Sequence, residues 1–181
     1  MQPRTLLLIV SIVSLGVACS NQGGDGQLTP VERETIRVEI EQAMREAYDL
    51  SKPNLTERML ALYPRSGALI SAAGGRVLSS RDSIEAGIRY FWDNVGVNMR
   101  QPRWVWERFY VDVLSPSAAV ATATYRVPHL NPSNEPHELG GAMTLVFAKR
   151  SGRWVIVQEH LSDRPAILDS IQTTIPTHDH H

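Results

Sequence analysis

A single cysteine, Cys19, leaves no partner for a disulfide within the chain and rules out zinc sites of the four-cysteine kind. Charge of one sign is equally scarce: 18 basic side chains stand against 19 acidic ones, for a formal net charge of −1. Such a chain offers no positive field to grip nucleic-acid phosphates, so no nucleic acid is expected as a partner. Lysine is nearly missing, since 16 of the basic residues are arginine, yet no basic run appears that would point to phosphate recognition. Phosphate loops, dinucleotide glycine fingerprints, zinc-protease helices and serine-hydrolase elbows are all lacking, so no cofactor is expected. What remains is 181 residues, 43% of them apolar, which is enough for one domain with a proper core.

The N-terminus carries Arg4 as its only charge before an apolar run from Leu6 to Ala18. That run is shorter than the ~18 or more residues that span a bilayer, and its shape is that of a secretory signal over residues 1–18. The segment Leu15, Gly16, Val17, Ala18, Cys19 resembles a bacterial lipobox, with Gly16 where a branched apolar residue is usual. Lipid on Cys19 would consume the only thiol as an anchor, and residues 19–28, with Gly23, Gly24 and Gly26, read as a tether to the membrane. The expected address is therefore an exported, membrane-anchored lipoprotein, periplasmic or on the cell surface. A plain signal peptide with an incidental cysteine is the alternative.

The mature domain is expected over residues 29–165, followed by a tail over 166–181. Thr29, Pro30 and Glu32 spell a capping box for a helix running to about Leu50, with Ile36, Ile40, Ala43, Met44 and Ala47 on its apolar side. A shorter helix follows through Thr56, Met59, Leu60 and Leu62. Gly74 and Gly75 then divide two short strand-like runs, which predicts a tight hairpin. Ser79 or Ser80 caps a third helix with the stripe Ile84, Ile88, Phe91, Trp92 and Val95. Four long antiparallel strands complete the chain: Trp104 to Leu114, Ala118 to Val127, Leu139 to Arg150, and Arg153 to Leu161, with a proline-rich loop over 128–138. Helices gathered on one side of a meandering sheet make an α+β domain. The closing His178, Asp179, His180 and His181 read as a solvated tail, so no metal is expected.

The closing hairpin carries a resemblance. Gly141 to Phe147, then Ser151, Gly152, Arg153, Trp154 and on through Gln158, Glu159, His160, Leu161 and Ser162, resembles that of the nuclear transport factor 2-like superfamily. Within it, the segment is similar to the SnoaL-like group and to the association domain of calcium/calmodulin-dependent kinase II. The resemblance implies a cone, a curved and mostly antiparallel sheet wrapped round three N-terminal helices, with a pocket at the wide end and pairing as a homodimer through the sheets. It implies no single reaction, because the superfamily includes isomerases, dehydratases, cyclases, transport factors and assembly modules.

Strict alternation along Trp104 to Leu114 puts Val105, Glu107, Phe109, Val111 and Val113 on the core face. Trp104, Trp106, Arg108, Tyr110 and Asp112 then fall on the outer face. Aromatic residues there call for a cover, and a homodimer through this outer face is expected, with the 128–138 loop or the C-terminal tail as the alternative cover. Glu107, alone among apolar neighbours, should pair with an arginine or line a wet cavity. The same alternation puts His160 with Trp154, Ile156 and Gln158, and the resemblance turns that face inward, where a histidine could act as general base or be held structurally by Ser162. Arg126 resembles a carboxylate-binding position of the kinase association domain, although Leu145 follows Thr144 where that family has a second arginine. Trp92, Tyr48 and Tyr63 could cap the pocket, or be plain core. The expected pocket is thus Trp92, Glu107, Arg126 and His160, for a small apolar or weakly acidic ligand. A noncatalytic binding or assembly module is expected. The alternative is an isomerase, dehydratase or cyclase in which His160 moves the proton and Glu107 or Arg126 orients the substrate.

Overall fold

The structure, a computed structural model, describes residues 28–164. The expected export segment, Cys19, most of the tether, and the tail with its histidines lie outside the described residues. The domain opens with helix α1, Pro30–Ala47, whose start is the capping box read from the sequence. Thr29 accepts from the Glu32 amide, and the Glu32 side chain accepts from the Thr29 amide. Its buried residues are Ile36, Ile40, Met44 and Ala47, while Arg37, Glu41 and Arg45 form ion pairs of 3.0 and 2.7 Å on the wet side. Helix α2, Leu55–Ala61, and helix α3, Arg81–Asn94, follow. Ser80 caps α3 by accepting from the Ser83 amide. Between them lies the hairpin of β1, Ile70–Ala73, and β2, Arg76–Leu78, turned by Gly74 and Gly75 at φ +54° and +73°. Glycine adopts such paired positive angles without strain, as this tight turn requires.

The four long strands are β3, Val105–Ser115, β4, Ala118–Leu130, β5, Pro136–Arg150, and β6, Arg153–Asp163. They join the hairpin in one six-stranded sheet of order β2-β1-β6-β5-β4-β3. All neighbours run antiparallel except β1 and β6, which are parallel. The early hairpin thus extends the late sheet, an arrangement that the strand pattern alone did not indicate. The inner face of β4 carries Ala119, Ala121 and Ala123, all at most 1% exposed, and their short side chains leave room for α1. Met143, Leu145, Phe147 and Ile156 complete the core around Ile40 and Met44. The fold is the expected α+β one, a mostly antiparallel sheet with the helices against one face.

The expected 128–138 loop is shorter than predicted, because β4 continues to Leu130 and β5 begins at Pro136. Pro128 is tolerated because its carbonyl, and hence its missing N–H, faces the irregular segment before β3 rather than β5. The Pro128 carbonyl accepts from the Arg103 amide over 3.2 Å.

Two β-bulges overturn the predicted strand faces. In β3, Trp106 pairs with Tyr125 and Arg108 with Thr124, leaving Glu107 as the extra residue. In β6, Gln158 pairs with Val146 and Ile156 with Phe147, leaving Val157 extra. One inserted residue shifts the period-two alternation and sends each later side chain to the other face. Trp104 and Trp106 therefore share the inner face with Phe109 and Val111, and the expectation that both tryptophans face outward to a partner is corrected. Trp106 meets Phe109 edge to face at 5.2 Å, which three-apart residues in a regular strand would not do.

Candidate functional site

Beneath the helices, the inner face of the sheet holds a continuous aromatic group. Trp104 stacks on Tyr125 at 4.3 Å and 14°, Tyr48 lies 4.4 Å from Trp104, and Trp106 fills the space between Tyr48, Trp104 and Phe109. Glycine at 141 is needed opposite Tyr125, since a Cβ there would lie 2.2 Å from the Ser162 carbonyl oxygen. Deeper in the interior lies the one buried carboxylate among the described residues, Glu159, 4% exposed. The Tyr63 hydroxyl donates to Glu159 Oε2 over 2.7 Å, and the Ser71 side chain bonds the same carboxylate. Burial holds the Glu159 carboxyl above the usual carboxylate range, while the bonds from Ser71 and Tyr63 offset part of that shift. Tyr63 is pushed well up by burial and by the adjoining Tyr48 and Glu159, and burial raises Tyr48 as well. Burial thus disfavours the charged form of all three groups.

Two clefts open at the end of the sheet away from the turns at 115–118 and 150–153. The first, about 400 Å³, is walled by Trp92, Leu50, Leu55, Val97 and Pro102, with Asp93 at its edge. Trp92 is fixed there by two contacts. Its Nε1 donates to Met59 Sδ over 3.1 Å, and its ring lies so close over Gly96 that a Cβ there would be 2.2 Å from Cε3. The second cleft, about 660 Å³, shares Pro102 with the first and is lined by Gln101, Arg103, His129, Leu130 and His137, among others. Both have the size of small-molecule sites. Neither is lined by Glu159, Tyr63 or Ser71, because the aromatic group occupies the interior between them.

The residues expected to form one pocket are not brought together. Trp92 lines the smaller cleft. Glu107 and Arg126 meet on the outer face, where Arg126 Nε is 3.4 Å from Glu107 Oε1 and Nη1 is 3.3 Å from Glu138 Oε2. Of the two roles open to Glu107, the structure shows the ion pair. Arg126 is turned outward because its neighbours Tyr125 and Val127 take the inner face. His160 is exposed, opposite Thr144 and Ala72, and the bulge at Val157 is the reason: it hands the inward position to Glu159. Glu159, Ser71 and Trp104 were missed by sequence reasoning. The signal was present in Trp154, Val155, Ile156 and Val157, four apolar residues in a row where a half-buried strand should alternate.

A family model for the SnoaL-like domain matches residues 40–167. Among solved structures, a protein from Novosphingobium aromaticivorans, provisionally named a scytalone dehydratase, superposes with a TM-score of 0.63 at 16% identity, covering 76% of this chain and 89% of that one. A protein of unknown function from Mycobacterium tuberculosis gives 0.60 at 18% identity, over 80% of this chain and 81% of its own. A nuclear transport factor 2-like superfamily protein from Salmonella enterica serovar Typhimurium gives 0.57 at 16%, over 81% and 99%. No curated protein matches the chain.

Proposed function

The chain belongs to the SnoaL-like family, with the nuclear transport factor 2-like fold, and from that premise we propose that it is a binding domain for a small apolar or weakly acidic molecule, held at a membrane by lipid on Cys19. The observation that carries this reading is the Trp92 cleft. Its indole is preset by Met59 and Gly96, so a flat apolar guest gains contact area without ordering the wall first. The shared Pro102 joins this apolar wall to Arg103 in the neighbouring cleft. Asp93 repels an anion at the apolar end, so an acidic group on the guest faces Arg103. Among the described residues no helix is long and apolar enough to cross a membrane, and the attachment in this reading is the lipid on Cys19. Pairing of two copies through the outer face remains part of this reading, now supported by Tyr110, 62% exposed on that face, rather than by the tryptophans.

Binding is favoured over catalysis because His160, the expected base, is on the outer face, and no described cleft reaches the Glu159–Tyr63 pair. Proton transfer needs a group within about 3 Å of the reacting atom. The test uses the anionic fluorescent dye 1-anilinonaphthalene-8-sulfonate as a probe. Saturable binding that Trp92→Ala weakens by about tenfold, equivalent to about 1.4 kcal/mol, supports the reading. Equal affinity in the two proteins would overturn it.

A further inference from the structure

We propose that His129 and His137 form a two-histidine site for a borderline divalent transition-metal ion of the zinc or copper class. This goes beyond the guest-binding reading and does not depend on it. The two residues are direct cross-strand partners near the end of the β4–β5 hairpin, so the sheet itself fixes their backbones. His137 Nδ1 lies 3.1 Å from His129 Nε2, with the rings 5.0 Å apart at 65°. His129 Nδ1 also bonds the Val127 carbonyl over 2.9 Å. Since a carbonyl only accepts, His129 Nδ1 carries the proton, and Nε2 presents a lone pair toward His137. Donation of the far ring nitrogen to a carbonyl is the arrangement that orients metal-bound imidazoles.

Without metal, His137 Nδ1–H donates to His129 Nε2. An ion placed about 2.0–2.1 Å from both nitrogens subtends roughly 100° at their observed separation, between the tetrahedral and square arrangements that such metals take. On binding, the His137 proton moves from Nδ1 to Nε2 of the same ring, so the neutral side chain becomes a ligand with no net proton released. The site opens into the 660 Å³ cleft, where water can complete the coordination shell. The protein supplies two ligands: among the described residues no group of three or more histidine, cysteine or acidic side chains could hold a metal. The nearest acids in sequence are engaged elsewhere, Glu138 with Arg126 and Glu135 with Asn131. Two neutral nitrogens with open positions suit an imidazole-preferring metal and disfavour magnesium or calcium, which take oxygen.

The test titrates zinc chloride by calorimetry into the full chain carrying His178→Asn, His180→Asn, His181→Asn and Cys19→Ser, which removes competing donors outside the described residues. One zinc per chain is expected at pH 7.5. His129→Asn or His137→Asn, added singly, should each weaken binding by at least about tenfold, the loss that even an orienting partner can cause. His160→Asn should change nothing. Both hairpin residues lie outside the core, and circular dichroism checks that the variants stay folded. With copper(II) bound, electron paramagnetic resonance should show two-nitrogen coordination that the His129→Asn variant loses. No zinc binding in the background chain, or binding that persists when both hairpin histidines are replaced, would overturn the site.

Discussion

The Tyr63 hydroxyl donates to Glu159 Oε2 over 2.7 Å, tying the segment after α2 to β6 across 96 residues of sequence. Both groups are buried, so neither can turn to water if the other is removed. Tyr63→Phe leaves the carboxyl one donor short and is expected to destabilise the domain by about 1–3 kcal/mol. Urea unfolding of the variant against the parent measures it, and a loss within error of zero would show that the pair is not closed in solution.

Glu159 also sets a pH dependence. Its folded pKa is raised above the ordinary 4.5, mainly by burial, so between those two values the folded state holds a proton that the unfolded state has released. Stability contributed by this group is fully present below about pH 4.5 and is lost as pH rises through the folded value. Glu159→Gln keeps an acceptor for Tyr63 but cannot ionise. Stability of the variant relative to the parent should therefore increase with pH above 4.5, read from denaturation midpoints across a pH series.

The bulge at Glu107 predicts opposite outcomes for two aromatic residues four apart. Trp106→Ala removes an inner-face ring and is expected to cost about 3–5 kcal/mol. Tyr110→Ala, on the exposed outer face, should alter monomer stability by no more than about 0.5 kcal/mol. Strict alternation gives both residues the same face, and similar losses in the two variants would restore it.

Gly96→Ala tests how the cleft wall is held. The new methyl has no room beside Trp92 Cε3, so the indole must turn away, at a cost of about 1–3 kcal/mol if it is resisted. Weaker dye binding is the expected result, with a change in tryptophan emission at unchanged secondary structure.

The elements were legible where one local cause dominates. Thr29 and Glu32 announce the start of α1, Gly74 and Gly75 the turn of the hairpin, and the resemblance of the closing hairpin supplied the fold. The site was less legible because it depends on strand phase, and phase is reset by a single inserted residue. Glu107 and Val157 are the inserted residues, and the errors on either side of them are the same error: Trp104 and Trp106, before the first, assigned outward, and His160, after the second, assigned inward. Residue type gives no warning, since tryptophan serves either face of a sheet. Consecutive apolar residues at 104–106 and 154–157 were the available sign. The parallel pairing of β1 with β6 is a contact between distant segments, which strand pattern does not encode.

A crystal structure of the dye complex tests the binding account most directly. The account predicts the naphthalene ring against Trp92 and Pro102, the sulfonate toward Arg103, and the Tyr63–Glu159 bond unchanged. Dye lodged between Trp104 and Tyr125, in an interior opened as far as Glu159, would contradict it and favour the alternative of proton-transfer chemistry.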